Sequence, residues 1–162
     1  MKQCQRVCET LKEMDIEYQL VEHPPALTTE DADKFIEGIE GVRTKTLFLS
    51  NRKKTQYYLL IMDDAKRLDM KELGVKINEK GMKFVNADVL LEKMSLLPGI
   101  VSLFGLINNT ERDIKVCLDK EMLVESFMSF HANVNTKTIF IATRDMYKFI
   151  ENLSYEYQIV DL

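Results

Sequence analysis

Two histidines and three cysteines are few for a chain of 162 residues, and each shortage removes a class of chemistry. His23 and His131 stand in no HExxH setting and no cysteine pair has zinc-ribbon spacing, so the sequence offers no recognisable catalytic zinc site. Neither GxGxxG nor GxxxxGKS/T occurs, which removes phosphate-loop nucleotide binding, and no serine stands in a GxSxG elbow. An odd number of cysteines argues against a disulfide framework. Cys4 and Cys8, four apart beside Val7 and Leu11, read as small buried apolar side chains rather than a metal or redox pair. No apolar run approaches the ~20 residues that cross a bilayer, and "MKQCQRVCETLKEMD" lacks the apolar core of a signal peptide. These absences place the chain in the cytoplasm.

Charge of one sign is also missing. With 22 basic and 26 acidic residues the net charge is −4, so no global field attracts nucleic acid, DNA is not expected as a partner, and any RNA contact is local. Arg43–Lys45 ("RTK") is one candidate; "NRKK" at 51–54 reads as a solvated hairpin tip.

What is present is a globular composition, 46% hydrophobic and 30% charged, in a chain long enough for one core and too short for two ordinary ones. Without repeats, low-complexity segments or a linker, residues 1–162 read as a single domain. Cys4, Val7, Cys8, Leu11 and Met14 recur at helical spacing. "EYQLVEH" reads as a strand, extended through Pro24 and Pro25, and Thr28 or Thr29 caps a helix that stops near Gly38 or Gly41. "TKTLFLSNRKKTQYYLLIMD" is the clearest hairpin. A short helix ending at Gly74, the strand "MKFVN", the helix "ADVLLEKM", the strand "IKVCLD", a strand running into a helix capped at Thr143, and the strand "YEYQIVDL" complete the chain. Strands and helices mix without regular alternation, which predicts an α+β domain around a mixed, strongly curved sheet.

The remaining chemistry lies in loops that abut apolar strands. His23 ends a strand before two prolines, and Lys45 opens "KTLFL". "PGIVSLFGLINN" is an apolar segment broken by Gly99 and Gly105, and "FHANVNTKT" sets His131, Asn133, Asn135 and Thr136 between two apolar runs. Glycine inside a buried strand gives up packing and ordering entropy, so Gly105 reads as part of a binding loop where a ligand or another backbone comes close. Each residue taken alone also has a structural reading: a hydrogen-bonded histidine, a turn asparagine, a solvated lysine.

Together, "EHPPALTTEDA", "GVRTKTLFLSNRKKTQYYLLIM", "PGIVSLFGLINN", "VCLDKEML" and "FHANVNTKTIFIATRDMYKFI" resemble the YbaK/ProX-like editing domains, in unbroken order from about residue 20 to the C-terminus. Within that group they are most similar to the freestanding prolyl-tRNA editing proteins, which deacylate alanine mischarged onto proline tRNA. Thr46 stands where the family usually has asparagine, Leu103 where it commonly has proline, and Ala132 where "HPxxN" commonly has its proline.

The resemblance implies a mixed, partly barrel-like sheet surrounded by helices and a pocket for the 3′ end of a charged tRNA. It also implies hydrolysis of the aminoacyl ester by water, with no metal and no organic cofactor. Lys45 is expected to hold the terminal phosphate or ribose, with backbone near Gly99, Ser102 and Gly105 orienting the water. His23, Thr28, Thr46, Ile100, Phe104, Leu106, His131, Asn135 and Thr136 are expected to bind the aminoacyl end. The implied partner is the acceptor end of alanyl-tRNA(Pro), with docking on prolyl-tRNA synthetase left open. Cysteinyl- or seryl-tRNA as substrate, and a non-catalytic module that binds the tRNA end or a synthetase, stand as alternatives.

Overall fold

The apolar stripe of Cys4, Val7 and Leu11 is buried on helix α1 (Gln3–Glu13) in the computed structural model, which describes residues 2–162. The chain continues through β1 (Tyr18–Glu22), α2 (Thr29–Phe35), β2 (Val42–Ser50), β3 (Tyr57–Asp63) and α3 (Met70–Ile77). Next come β4 (Lys83–Phe84), α4 (Ala87–Met94), a 3-10 helix (Leu103–Asn108), β5 (Ile114–Asp119) and a second 3-10 helix (Lys120–Val124). β6 (Phe127–His131), β7 (Lys137–Ala142), α5 (Thr143–Asn152) and β8 (Tyr157–Val160) follow. No described helix is long and apolar enough to cross a membrane.

The strands form one mixed sheet in the order β1-β7-β6-β2-β3-β5-β8, with β4 attached to β2. β6–β2, β3–β5 and β5–β8 are parallel and the other pairs antiparallel. The α+β class and the mixed sheet are as the sequence predicts. The sheet does not close into a barrel: β1 and β8 each have a single described partner at opposite ends of the path.

β3 is covered on both faces, which accounts for its unbroken apolar run. Leu59 and Ile61 enter a large core with α1, α4, α5 and the first 3-10 helix, while Tyr58, Leu60 and Met62 enter a smaller one with α3.

Three local expectations are corrected. The helix expected to end at Gly74 runs on to Ile77 and closes on Asn78, left-handed at φ 57°. Gly74 serves close packing instead, since a Cβ there would lie 2.8 Å from the Glu79 carbonyl oxygen. Thr143 is the first residue of α5 rather than its cap, and its hydroxyl donates to the Glu125 carbonyl at 2.5 Å. "LFGLIN", read as part of a binding loop, is a 3-10 helix buried through Leu106.

Candidate functional site

One edge of β2 is shared by two short partners. β6 pairs with Val42 and Arg43 at its start, and β4 with Leu49 and Ser50 at its end. Between them no described strand lies against this edge of β2, and a cavity of about 330 Å³ opens there, lined by Thr44 to Phe48, α2, β4, β6 and the loop residues Pro98, Gly99 and Val101. Backbone direction follows from the neighbouring hydrogen bonds. The Val42 carbonyl accepts from Ser129 Oγ (2.9 Å) and the Phe48 carbonyl from Val85 N (3.1 Å), both on this edge, while the Arg43 carbonyl accepts from Asp64 N (2.8 Å) on the β3 side. Alternation along the strand therefore turns the peptide groups of Thr44 and Thr46 toward the gap. The Thr44 hydroxyl reaches across to the Ser129 carbonyl (2.5 Å), which leaves Thr46 facing the cavity without a strand partner on that edge.

Charge surrounds this edge. Lys45 Nζ donates to the Lys66 carbonyl. That loop is fixed because Lys66 Nζ donates to buried Asp119 (2.8 Å), Glu121 (2.8 Å) and the Leu162 backbone oxygen (2.7 Å). Burial works against the Lys66 charge, but the hydrogen bonds to Asp119 and Glu121 outweigh it and raise the pKa. Asp64, after β3, and Asp33, on α2, both line the cavity. Burial first, then the neighbouring Asp33 carboxylate, pushes the Asp64 pKa up to about 7, and its Oδ2 is buried without a hydrogen-bond partner. His131, at the end of β6, has its pKa lowered by burial and then by His23, and its Nδ1 is also buried and unpartnered. An imidazole, a lysine and two carboxyls thus share one cavity. A second hollow of about 650 Å³, beside β1, β7 and Arg144, is larger, but no buried unpartnered polar atom among the described residues lines it.

Residues 23–149 match the family model for the aminoacyl-tRNA editing domain. The chain belongs to that family. The editing domain is 31% identical over 159 residues to the prolyl-tRNA editing protein ProX of Acetoanaerobium sticklandii, covering 98% of this chain and 96% of that one. It is 28% identical over 149 residues to the prolyl-tRNA synthetase associated domain-containing protein 1 of Danio rerio, covering 91% and 80%. A solved structure described as a candidate trans-editing enzyme for prolyl tRNA synthetase shares the fold with a TM-score of 0.78 at 16% identity, over 100% of this chain and 98% of that one.

The editing domain brings four of the residues singled out in its sequence to the cavity wall: Lys45, Thr46, Gly99 and His131. Gly99 is left-handed at φ 89°, in the turn that ends at the cavity. The others stand behind the wall. Ser102 is fully buried, and its Oγ accepts from Phe104 N (3.0 Å) to cap the 3-10 helix. Gly105 is buried where a Cβ would lie 2.5 Å from Met94 Cε and 2.7 Å from Leu96 Cδ1. Phe104 and Leu106 are core residues, with Phe104 edge-on to Phe130 and Phe149, and half-buried Ile100 does not reach the cavity lining, whereas Val101 does.

Thr28 caps α2, accepting from Asp31 N at 3.1 Å. Asn135 and Thr136 contribute carbonyls that accept from Ala26 N (3.1 Å) and His23 N (2.9 Å). His23 Nδ1 lies 2.9 Å from the Pro24 carbonyl, so in the neutral ring Nδ1 carries the hydrogen and Nε2 accepts from Thr138 Oγ1 at 2.9 Å. These contacts pin residues 23–28 to the β6–β7 turn. Arg43, half of the basic candidate "RTK", donates instead to the carbonyls of Ile36, Ile39 and Gly41.

Sequence reasoning missed Thr44, Asp33 and Asp64. An "MDD" closing an apolar strand was the available signal for Asp64, and it reads as an ordinary turn.

Proposed function

We propose that the protein hydrolyses the ester bond of mischarged tRNA, with alanyl-tRNA(Pro) as its substrate. The observation that carries this reading is the gap in β2 pairing. A small cavity, at the lower end of the size range for ligand pockets, is faced by a fixed peptide edge and bordered by one lysine. Such a site takes the aminoacyl end of a larger molecule whose body stays outside.

An aminoacyl ester is already activated, so orientation and polarisation supply much of the rate. In this reading the Thr46 N–H, held in a rigid strand, polarises the ester carbonyl, and Lys45 takes the terminal phosphate or ribose as a point charge. His131, neutral and buried, holds the attacking water or the ribose hydroxyl beside the ester. Gly99 lets the opposite loop turn tightly at the cavity. Ser102, Gly105, Phe104 and Leu106 hold the wall from behind, and His23, Thr28, Asn135 and Thr136 fix the segment leading into α2. Ile100 supports Val101, which lines the cavity.

Selectivity rests on size. A pocket shaped for alanine rejects proline by clash, whereas one shaped for proline would discriminate against alanine by only about 1–3 kcal/mol per missing methylene. The acceptor end of tRNA is the partner this chemistry requires. The names of the relatives support prolyl-tRNA synthetase as the synthetase whose errors would be corrected.

Deacylation of alanyl-, prolyl- and cysteinyl-tRNA(Pro) by the wild-type protein tests the reading. Loss of the alanyl ester with the prolyl ester intact is expected. Cleavage of the cysteinyl ester alone would move the substrate, and three intact esters would leave a binding module.

A further inference from the structure

Three buried side-chain polar atoms among the described residues have no hydrogen-bond partner: Asp64 Oδ2, His131 Nδ1 and Asn133 Oδ1. Asp64 and His131 line the same cavity; Asn133 does not. Leaving a buried acceptor without a donor is costly, so an orphan on a residue that lines a cavity points to a ligand that brings the donor. Asp64 is held in place by its own N–H on the Arg43 carbonyl (2.8 Å). The charged and titratable groups that face it are Asp33 from α2, Asp63 beside it and Lys45 from β2, with His131 from β6 on the same cavity wall. The Lys45 ammonium donates to the Lys66 carbonyl, and no ion pair among the described residues joins it to Asp64. Two carboxyls therefore share the cavity, and no lysine or arginine among the described residues forms an ion pair with either.

We infer that Asp64, backed by Asp33, receives the α-ammonium group of the aminoacyl ester and so selects esters that carry a free amino group. This rests on the deacylase reading above. The ammonium supplies charge-assisted donors to Oδ2 and a positive charge between carboxylates that otherwise repel. It also sets the ester's orientation, because the α-carbon links the ammonium to the carbonyl, and anchoring one at Asp64 presents the other to the peptide edge at Thr44 and Thr46. The proton that Asp64 holds near neutral pH passes to solvent when the ammonium binds.

The test compares alanyl-tRNA(Pro) with lactyl-tRNA(Pro), in which a hydroxyl replaces the amino group at nearly the same size. Each kcat/KM is divided by the uncatalysed rate for the same ester. Wild type is expected to favour the alanyl ester by roughly tenfold or more at pH 7.5, the scale of one charge-assisted hydrogen bond. Asp64→Asn should bring the preference close to unity, whereas Lys45→Ala should slow both esters alike. Asp33→Asn, a second variant at a half-buried position, should weaken the preference in the same direction. Equal normalised rates in wild type, or a full preference kept by Asp64→Asn, would overturn the assignment of Asp64. Failure of wild type to cleave either ester would instead sink the deacylase reading on which the assignment rests.

Discussion

Strand β2 and residues 99–109 meet at one cavity, and they treat their backbones in opposite ways. β2 is paired at both ends of one edge and left open between them, so the peptide groups of Thr44 and Thr46 turn toward the cavity. The segment 99–109 has its backbone groups taken up within the segment and by buried side chains packed on it. Gly105 N donates to the Ser102 carbonyl (3.0 Å), the Phe104 carbonyl accepts from Asn133 Nδ2 (3.2 Å), and the Leu106 carbonyl from the Tyr155 hydroxyl (2.9 Å). The glycine-broken segment is therefore a packed wall, and the regular strand is the one that presents free peptide groups to the cavity. Availability of backbone groups, rather than backbone freedom, marks this site, and it lies on a rigid element that holds its geometry.

Substitutions behind the wall should act on stability. Phe104→Ala removes a fully buried ring packed edge-on against Phe130 and Phe149, and should cost about 3–5 kcal/mol in urea unfolding. A cost under about 1 kcal/mol would place the segment outside the core and break the comparison.

Gly105→Ala is more discriminating. Its methyl group would press on Met94 and Leu96, so it should lower stability by about 1–3 kcal/mol. Were this glycine a passage for substrate, alanine would instead reduce turnover and leave the melting temperature unchanged.

Asp64→Asn should produce an effect of the opposite sign, and only at high pH. Folding raises the Asp64 pKa from 3.8 to about 7, so this group weakens the folded state progressively as pH rises from about 4 through 7. Asparagine removes that penalty. The variant should melt close to wild type at pH 4 and above it at pH 8, and an equal shift at both pH values would remove ionisation as the cause.

Much of the fold was legible in the sequence because its signals are local. The α1 stripe, the β2–β3 hairpin and the α2 cap at Thr28 depend on residues close together in the chain. The site was half legible. Lys45 and His131 stand out by residue type at strand ends, and both reach the cavity. Asp33 and Asp64 come together only because Asp64 N docks on the Arg43 carbonyl while Arg43 ties the end of α2 to its own strand. The gap in β2 depends on β6, more than 70 residues further along, stopping after two paired positions. Gly74, read as a helix stop, and Gly105, read as an approach for ligand, both make room for close packing, which shows only when their neighbours are known.

The most direct test of the open β2 edge as the reactive surface is the single-turnover rate of alanyl-tRNA(Pro) hydrolysis by Lys45→Ala, with melting temperatures measured alongside. Lys45 lines the cavity on a strand whose pairing its side chain does not make, so the account predicts a rate loss of roughly a hundredfold or more with little change in melting temperature. An unchanged rate at unchanged stability would contradict it and move the chemistry away from this edge.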